Sequence, residues 1–137
     1  MPNFWLLKTE PSTYSYSDLE KDGKTTWDGV KNNYALKNMS QMKKEDLVFI
    51  YHTGEEKQIV AIAEIISNPY LDPKQKNPHL LVIDLKHRKK LSRPVTLAEL
   101  KAHKDLKNFE LVRLPRLSVM PVPAEIWKKI LKLAGEK

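Results

Sequence analysis

Two apolar runs constrain this chain more than any other feature. Leu47 to Tyr51 is continuously apolar, and Ile59 to Ile66 is apolar except for Glu64. A strand with one wet face alternates polar and apolar residues, whereas an unbroken apolar run is covered on both faces. The polar stretch Thr53-Gly54-Glu55-Glu56-Lys57 between the runs reads as a hairpin loop. The pair therefore predicts two central strands with other parts of the chain packed over both sides.

The rest of the chain supplies those covers. Phe4-Trp5-Leu6-Leu7, bounded by Pro2 and Pro11, reads as a further buried strand. Ser15 to Asp22 reads as a short helix, capped by Ser15 with Asp18 three residues on and ended by Gly23. Thr25-Thr26-Trp27 is a brief extended piece before the turn signal Asp28-Gly29. Asn32 or Asn33 caps a second helix running to about Met42. Asn68 to His79 contains Pro69, Pro73 and Pro78 and is predicted to be a loop. Leu80 to Leu85 reads as a strand, with Lys86 to Lys90 as its basic extension.

Thr96-Leu97-Ala98-Glu99 is a capping-box pattern that opens a helix to about His103. Leu111 to Met120 reads as irregular structure leading into a strand. Pro123 fits the first turn of a final helix that Gly135 closes. Ile126, Ile130, Leu133 and Ala134 form its packing face, with Trp127 and Leu131 beside it. Strands broken by short helices without regular alternation predict an α+β class. A small, curved, partly closed barrel with peripheral helices is the expected architecture. The 137 residues contain no repeat and no linker, so one domain spanning 1–137 is expected.

Composition narrows the function. Apolar residues at 41% and charged residues at 30% exclude general disorder. The absence of cysteine excludes disulfides, thiolate metal sites and cysteine nucleophiles, and fits a reducing compartment. No apolar run approaches the ~18 residues that span a bilayer. The start, Met1 to Glu10, lacks a basic region of the kind that opens a signal peptide. A cytoplasmic location, with no membrane partner, is therefore expected.

The charge is unevenly spread. Residues 1–68 hold 8 basic and 10 acidic side chains, whereas residues 69–137 hold 16 and 7. All four arginines, Arg88, Arg93, Arg113 and Arg116, lie in the second half. That asymmetry suits a polyanion, and it equally suits a solvated basic face. The chain has no Gly-x-Gly-x-x-Gly, Walker loop or Gly-x-Ser-x-Gly, and only 4 glycines in all. His52, His79, His87 and His103 show no metal spacing. Neither a metal nor a nucleotide cofactor is expected.

Three constellations remain. Lys8 and Glu10, in Lys8-Thr9-Glu10-Pro11-Ser12, share one face of a strand end. They read as a pocket rim or as a plain salt bridge. Trp27, beside the Asp28-Gly29 turn and Val30-Lys31-Asn32, reads as a base-stacking face or as core; Asn32 is placed to bond a base edge. Tyr51-His52 ends a buried strand, where His52 reads as an acid, base or donor, or as structural.

Taken together, these pieces resemble the EVE domain family. The matching runs are Phe4-Trp5-Leu6-Leu7-Lys8-Thr9-Glu10-Pro11, Trp27-Asp28-Gly29-Val30-Lys31-Asn32, Tyr51-His52 and Ile59-Val60-Ala61-Ile62-Ala63-Glu64. Arg93 to Leu100, Leu111-Val112-Arg113 and Arg116 to Val122 follow in order, so the resemblance covers essentially the whole chain. It implies a PUA-like fold: a curved, barrel-like sheet flanked by short helices, with a pocket at one end, related to YTH domains. It also implies a binding module for modified bases, notably methylated or hydroxymethylated cytosine in DNA, or a modified RNA base.

Residue by residue, the resemblance places Lys8, Thr9, Glu10, Trp27, Gly29, Val30, Asn32, Tyr51 and His52 at the base pocket. Trp27 falls on one wall of an aromatic cage, and Thr9 stands where serine is usual. Lys31 stands where arginine is common, and Asn33-Tyr34-Ala35-Leu36-Lys37 departs from the family pattern. The loop bearing Tyr70 and Asp72 lies where a second pocket wall is expected. Trp5 and Trp127 are expected in the core.

The expected function is a non-catalytic reader that holds a flipped, modified base against Trp27. Lys31, Lys86, Arg88, Lys89, Lys90, Arg93, Arg113 and Arg116 would meet the phosphates of its DNA or RNA partner. A monomer or weak dimer is expected. The alternative is a small hydrolase or deaminase-like enzyme acting on a modified nucleoside through Lys8, Glu10 and His52. A module that binds a protein partner is a third reading.

Overall fold

β3 (Leu47–His52) and β4 (Gln58–Ile65) pair antiparallel across the Thr53–Lys57 loop, as their apolar runs predict. The computed structural model describes residues 3–74, 76–77 and 79–136, so Pro2 and Pro78 lie outside the described residues. Every residue of β3 after Leu47 is buried, and β4 is buried from Ile59 to Ala63. β1 (Phe4–Thr9) lies parallel to β3, with Phe4 opposite Leu47 and Thr9 opposite His52. Parallel neighbours need a crossover. Here it consists of α1 (Tyr16–Asp22), β2 (Lys24–Trp27) and α2 (Asn33–Met39).

The strand pleat divides the neighbours of β1 and β3 between two faces. Phe4, Leu6, Lys8, Phe49 and Tyr51 share one face. It is covered by α5 (Ala124–Leu133), whose Trp127 stacks on Phe4 at 4.4 Å and on Phe49 at 3.8 Å between ring centroids. Trp5, Leu7, Thr9, Ile50 and His52 share the other face, where His52 meets the first residue of α1. Trp5 is buried and donates its Nε1–H to Asp46, 2.9 Å away. Asp46 also accepts the backbone N–H groups of Asn3 and Lys43, so this buried carboxylate is fully engaged.

Local signals place the helix starts. Ser15 and Asp18 form a reciprocal capping box on α1, and Thr96 and Glu99 form another on α3 (Leu97–Ala102). Asn32, rather than Asn33, caps α2 through the N–H of Ala35.

Five expectations need correction. α2 ends at Met39, not Met42: Ser40 donates its hydroxyl to Lys37 O, and tight turns then bury Met42. The Asn68–His79 loop contains a short strand, β5 (Tyr70–Leu71), which continues the edge of β4 along its neighbour. That neighbour, β6 (Leu81–Thr96), does not stop at the basic run but extends 16 residues. Pro94 is tolerated because its register jumps from Ala61↔Lys90 to Ile59↔Val95, leaving Leu91–Pro94 as a bulge. Leu111–Arg113 belongs to a helical turn, α4 (Glu110–Arg113), before β7 (Val119–Pro121). Finally, the packed face of α5 centres on Trp127, Ile130 and Ala134, with Ile126, Leu131 and Leu133 only half-buried. The flat slot between Phe4 and Phe49 admits an indole ring and decides the helix rotation.

The strands run in the order β2-β6-β4-β3-β1-β7, with β5 also on β6. Three strands separate β2 from β1 in this mixed sheet, yet the two line one cleft. The sheet must therefore curl until its ends approach, and the bulges in the β4–β6 pair supply the bend. The result is a curled half-barrel with several short helices, the α+β architecture expected.

Candidate functional site

The cleft has a volume of about 630 Å³, within the roughly 300–1,000 Å³ of small-molecule sites. Lys8, Thr9 and Glu10 enter from the end of β1, and Thr25, Thr26, Trp27 and Asp28 from β2 and its turn. Thr13 and Tyr14 come from the segment between β1 and α1, and Lys74 from the loop after β5.

Trp27 is half-buried, and Tyr14 stands edge-on to it, with ring centroids 6.3 Å apart and an interplanar angle of 83°. Tyr14 is fixed at both ends. Its carbonyl accepts the Thr9 hydroxyl at 2.6 Å, and its own hydroxyl donates to Asp22 at 2.8 Å. Burial, more than that carboxylate, raises the Tyr14 pKa above the usual phenol value. The result is a rigid aromatic corner with hydroxyls and charges around it. Such a corner suits a flat ring with a polar edge.

Lys8 donates its Nζ to Pro115 O at 2.8 Å and lies 5.6 Å from the Tyr51 ring centroid. Its half-burial pulls the ammonium pKa below the usual lysine value. Glu10 accepts from the Ser12 N–H at 3.2 Å, the Ser12 hydroxyl at 3.0 Å and the Thr53 hydroxyl at 3.3 Å. These bonds, led by the Ser12 amide, hold its carboxyl below the usual range. Gly54, at φ +74°, lies so close that a Cβ there would sit 2.6 Å from Glu10 Oε2. Lys8 and Glu10 thus share the cleft, each bound to its own partners; no ion pair links them among the described residues.

The remaining residues expected at the base pocket lie elsewhere. His52 is buried: its Nε2 accepts the Tyr16 N–H at 3.1 Å, and its Nδ1 faces Glu56 Oε1 at 2.9 Å. An accepting Nε2 assigns the proton to Nδ1, which donates to Glu56. The ring therefore satisfies a free amide in the first turn of α1, a structural role. Tyr51 is buried beneath Lys8. Gly29, at φ +78°, turns the chain after Trp27, and Val30 packs on the core. Asn32 caps α2 and lines a separate groove. The expected second wall also differs. Tyr70 donates its hydroxyl to Asp84, Asp72 accepts the Lys74 N–H, and the loop reaches the cleft through Lys74.

The basic residues fall into two groups. Arg88 pairs with Glu64, Lys89 with Glu136, and Arg93 makes a forked pair with Glu99 and also donates to Leu133 O. Lys31, Lys86, Lys90, Arg113 and Arg116 are exposed, with no ion pair among the described residues.

Sequence reasoning missed Thr13, Tyr14, Thr25, Thr26, Asp28 and Lys74. An aromatic residue four positions beyond Glu10 was a usable signal for Tyr14. Nothing local marks Lys74.

A mixed sheet curled into a half-barrel, with its cleft where the sheet closes, is the PUA-like architecture. The chain belongs to the EVE domain family, which matches residues 3–133. It is 33% identical to mouse thymocyte nuclear protein 1 over 167 aligned positions, covering 97% of this chain and 74% of that protein. An NMR structure from Rhodopseudomonas palustris superposes with a TM-score of 0.92 at 41% identity, covering 97% of this chain and 93% of that one. The crystal structure of human THYN1 protein in complex with 5-methylcytosine containing DNA gives 0.89 at 30% identity, covering 98% and 99%.

Proposed function

We propose that this protein binds nucleic acid and reads one modified base, taken out of its stack into the cleft against Trp27. The observation that carries this reading is the Trp27–Tyr14 corner, in a family whose human member was crystallised with 5-methylcytosine DNA. Methylated or hydroxymethylated cytosine in DNA is the leading ligand class, with a modified RNA base as the other nucleic-acid arm. A base stacked on an aromatic ring gains about 1–3 kcal/mol, which offsets much of the unstacking cost. The Asp28 carboxylate suits an exocyclic amine such as N4 of cytosine. Lys8 and the Thr13 and Thr25 hydroxyls surround the remaining edge. The exposed cations Lys31, Lys86, Lys90, Arg113 and Arg116, which have no ion pair among the described residues, are the phosphate contacts, joined by Lys74 at the cleft.

The enzyme reading needs Lys8, Glu10 and His52 around one substrate. His52 has both ring nitrogens engaged away from the cleft, which favours a reader without catalysis.

The test is a binding titration with short single strands and duplexes of DNA and RNA at two salt concentrations. The set carries plain, methylated and hydroxymethylated cytosine and methylated adenine. A gain that depends on modification and vanishes in Trp27→Ala is expected. Equal affinity for plain and modified strands, or binding indifferent to Trp27→Ala, overturns the reading.

A further inference from the structure

We infer that a second groove, next to the cleft, holds the base adjoining the modified one, so that the protein reads at least two consecutive nucleotides. This inference rests on the reading of the cleft given above. The groove has a volume of about 320 Å³ and is lined by Asn32, Tyr34, Leu114, Pro115, Arg116 and Leu117.

Four observations converge on a base as its occupant. First, one contact divides the two sites: Lys8, which lines the cleft, donates to the carbonyl of Pro115, which lines the groove. The two sites are therefore neighbours across a single side chain, as consecutive nucleotides of one strand require. Second, Tyr34 lines the groove and is 44% exposed, so part of its ring is open to a ligand. Its hydroxyl is held 3.2 Å from Glu110 Oε1, so the ring is fixed before anything stacks on it. Leu114, Pro115 and Leu117 complete an apolar floor.

Third, among the described residues the groove lining pairs that floor with positive charge and holds no acidic side chain, although Glu110 meets the Tyr34 hydroxyl beside it. Arg116 belongs to the groove, and Arg113 is exposed on the same loop-and-helix segment. Neither has an ion pair among the described residues. An apolar floor with an arginine suits a base on its phosphate chain, through stacking and charge together. Fourth, Asn32 uses its Oδ1 to cap α2. Its Nδ2 remains as a donor for an acceptor on a base edge. Asn32 was expected to read a base edge in the cleft; it lines this groove instead, where under the present inference it would meet the adjoining base.

The probes are 5-methyl-dCMP and a DNA trinucleotide with 5-methylcytosine at its centre, each titrated by calorimetry. Tyr34→Ala is expected to weaken the trinucleotide about tenfold, as loss of a stacked base implies, and to leave the mononucleotide unchanged. Tyr34→Phe keeps the ring and is expected to retain most of the affinity. Trp27→Ala is expected to weaken both probes. Tyr34→Ala acting on both probes equally, or on neither, overturns the second subsite.

The two readings separate cleanly. If Trp27→Ala weakens both probes while Tyr34→Ala is silent, the cleft stands and the groove falls. If Tyr34→Ala weakens the trinucleotide while Trp27→Ala is silent, the groove stands as a nucleic-acid contact and the cleft reading falls. No wild-type binding of either probe overturns both.

Discussion

Thr9 holds Tyr14 in place: its hydroxyl donates to the Tyr14 carbonyl at 2.6 Å, and Tyr14 in turn stands edge-on to Trp27. The end of β1 therefore sets the angle of a cleft wall contributed by β2, although three strands lie between them in the sheet. Serine preserves this bond and valine removes it. Thr9→Val is expected to leave the Tyr14 carbonyl unpaired, to cost roughly 1–3 kcal/mol of stability, and to weaken base binding with Trp27 still present. Thr9→Ser should behave like the wild type. Urea titration and calorimetry on both variants check this.

Trp127 fills the slot between Phe4 and Phe49. It is buried, so truncation removes a large apolar surface and leaves a cavity. Trp127→Ala is expected to destabilise the fold by about 3–5 kcal/mol without changing the nucleic-acid affinity of the folded fraction. Equilibrium unfolding monitored by circular dichroism reads the loss.

Glu136 ties the end of the chain to β6. Lys89 foremost, together with the Ser92 hydroxyl and N–H, pulls its carboxyl down to about 2. Because the folded value lies below the ordinary carboxylate range, the stabilisation is complete above about pH 4.5 and disappears as pH falls through about 2. Glu136→Gln is expected to flatten the acid limb of a plot of melting temperature against pH in that window. It should leave the curve's shape near neutrality unaltered. Identical acid limbs for the two proteins would show that the pairing contributes nothing to stability.

The two groups of basic residues predict different salt behaviour. Arg93 is engaged by Glu99 and Leu133 O, whereas Arg116 has no such partner among the described residues. Arg116→Ala is expected to lower the slope of log affinity against log salt by about 0.7 for a single strand. Arg93→Ala should leave the slope unchanged while costing some stability. Titrations at four salt concentrations distinguish the two.

The legible part of this protein was local. Ser15 with Asp18, and Thr96 with Glu99, are capping partners three residues apart, so the pattern is visible in a short window. The runs Leu47–Tyr51 and Ile59–Ile66 announced doubly covered strands because burial on consecutive residues leaves no polar alternation. Lys8, Thr9, Glu10 and Trp27 were singled out from the sequence, and all four line the cleft. The two-residue β5 and the continuation of β6 past Pro94 were missed. One is too short for a pattern, and the other depends on a bulge set by its partner strand.

His52 shows where that reading ends. Its position at the end of a strand suits chemistry and structure equally, and its partner, the Tyr16 N–H, lies 36 residues away. The sequence by itself determined the helix starts and the central buried strands, because caps and apolar runs act over a few neighbouring residues. Only the tertiary structure decided which side chains share a cleft. That depends on how far the sheet curls, and the curl is set by bulges between β4 and β6 that no short window contains. The same closure brought Tyr14 and Lys74 to Trp27, and left His52 and Asn32 to cap helices.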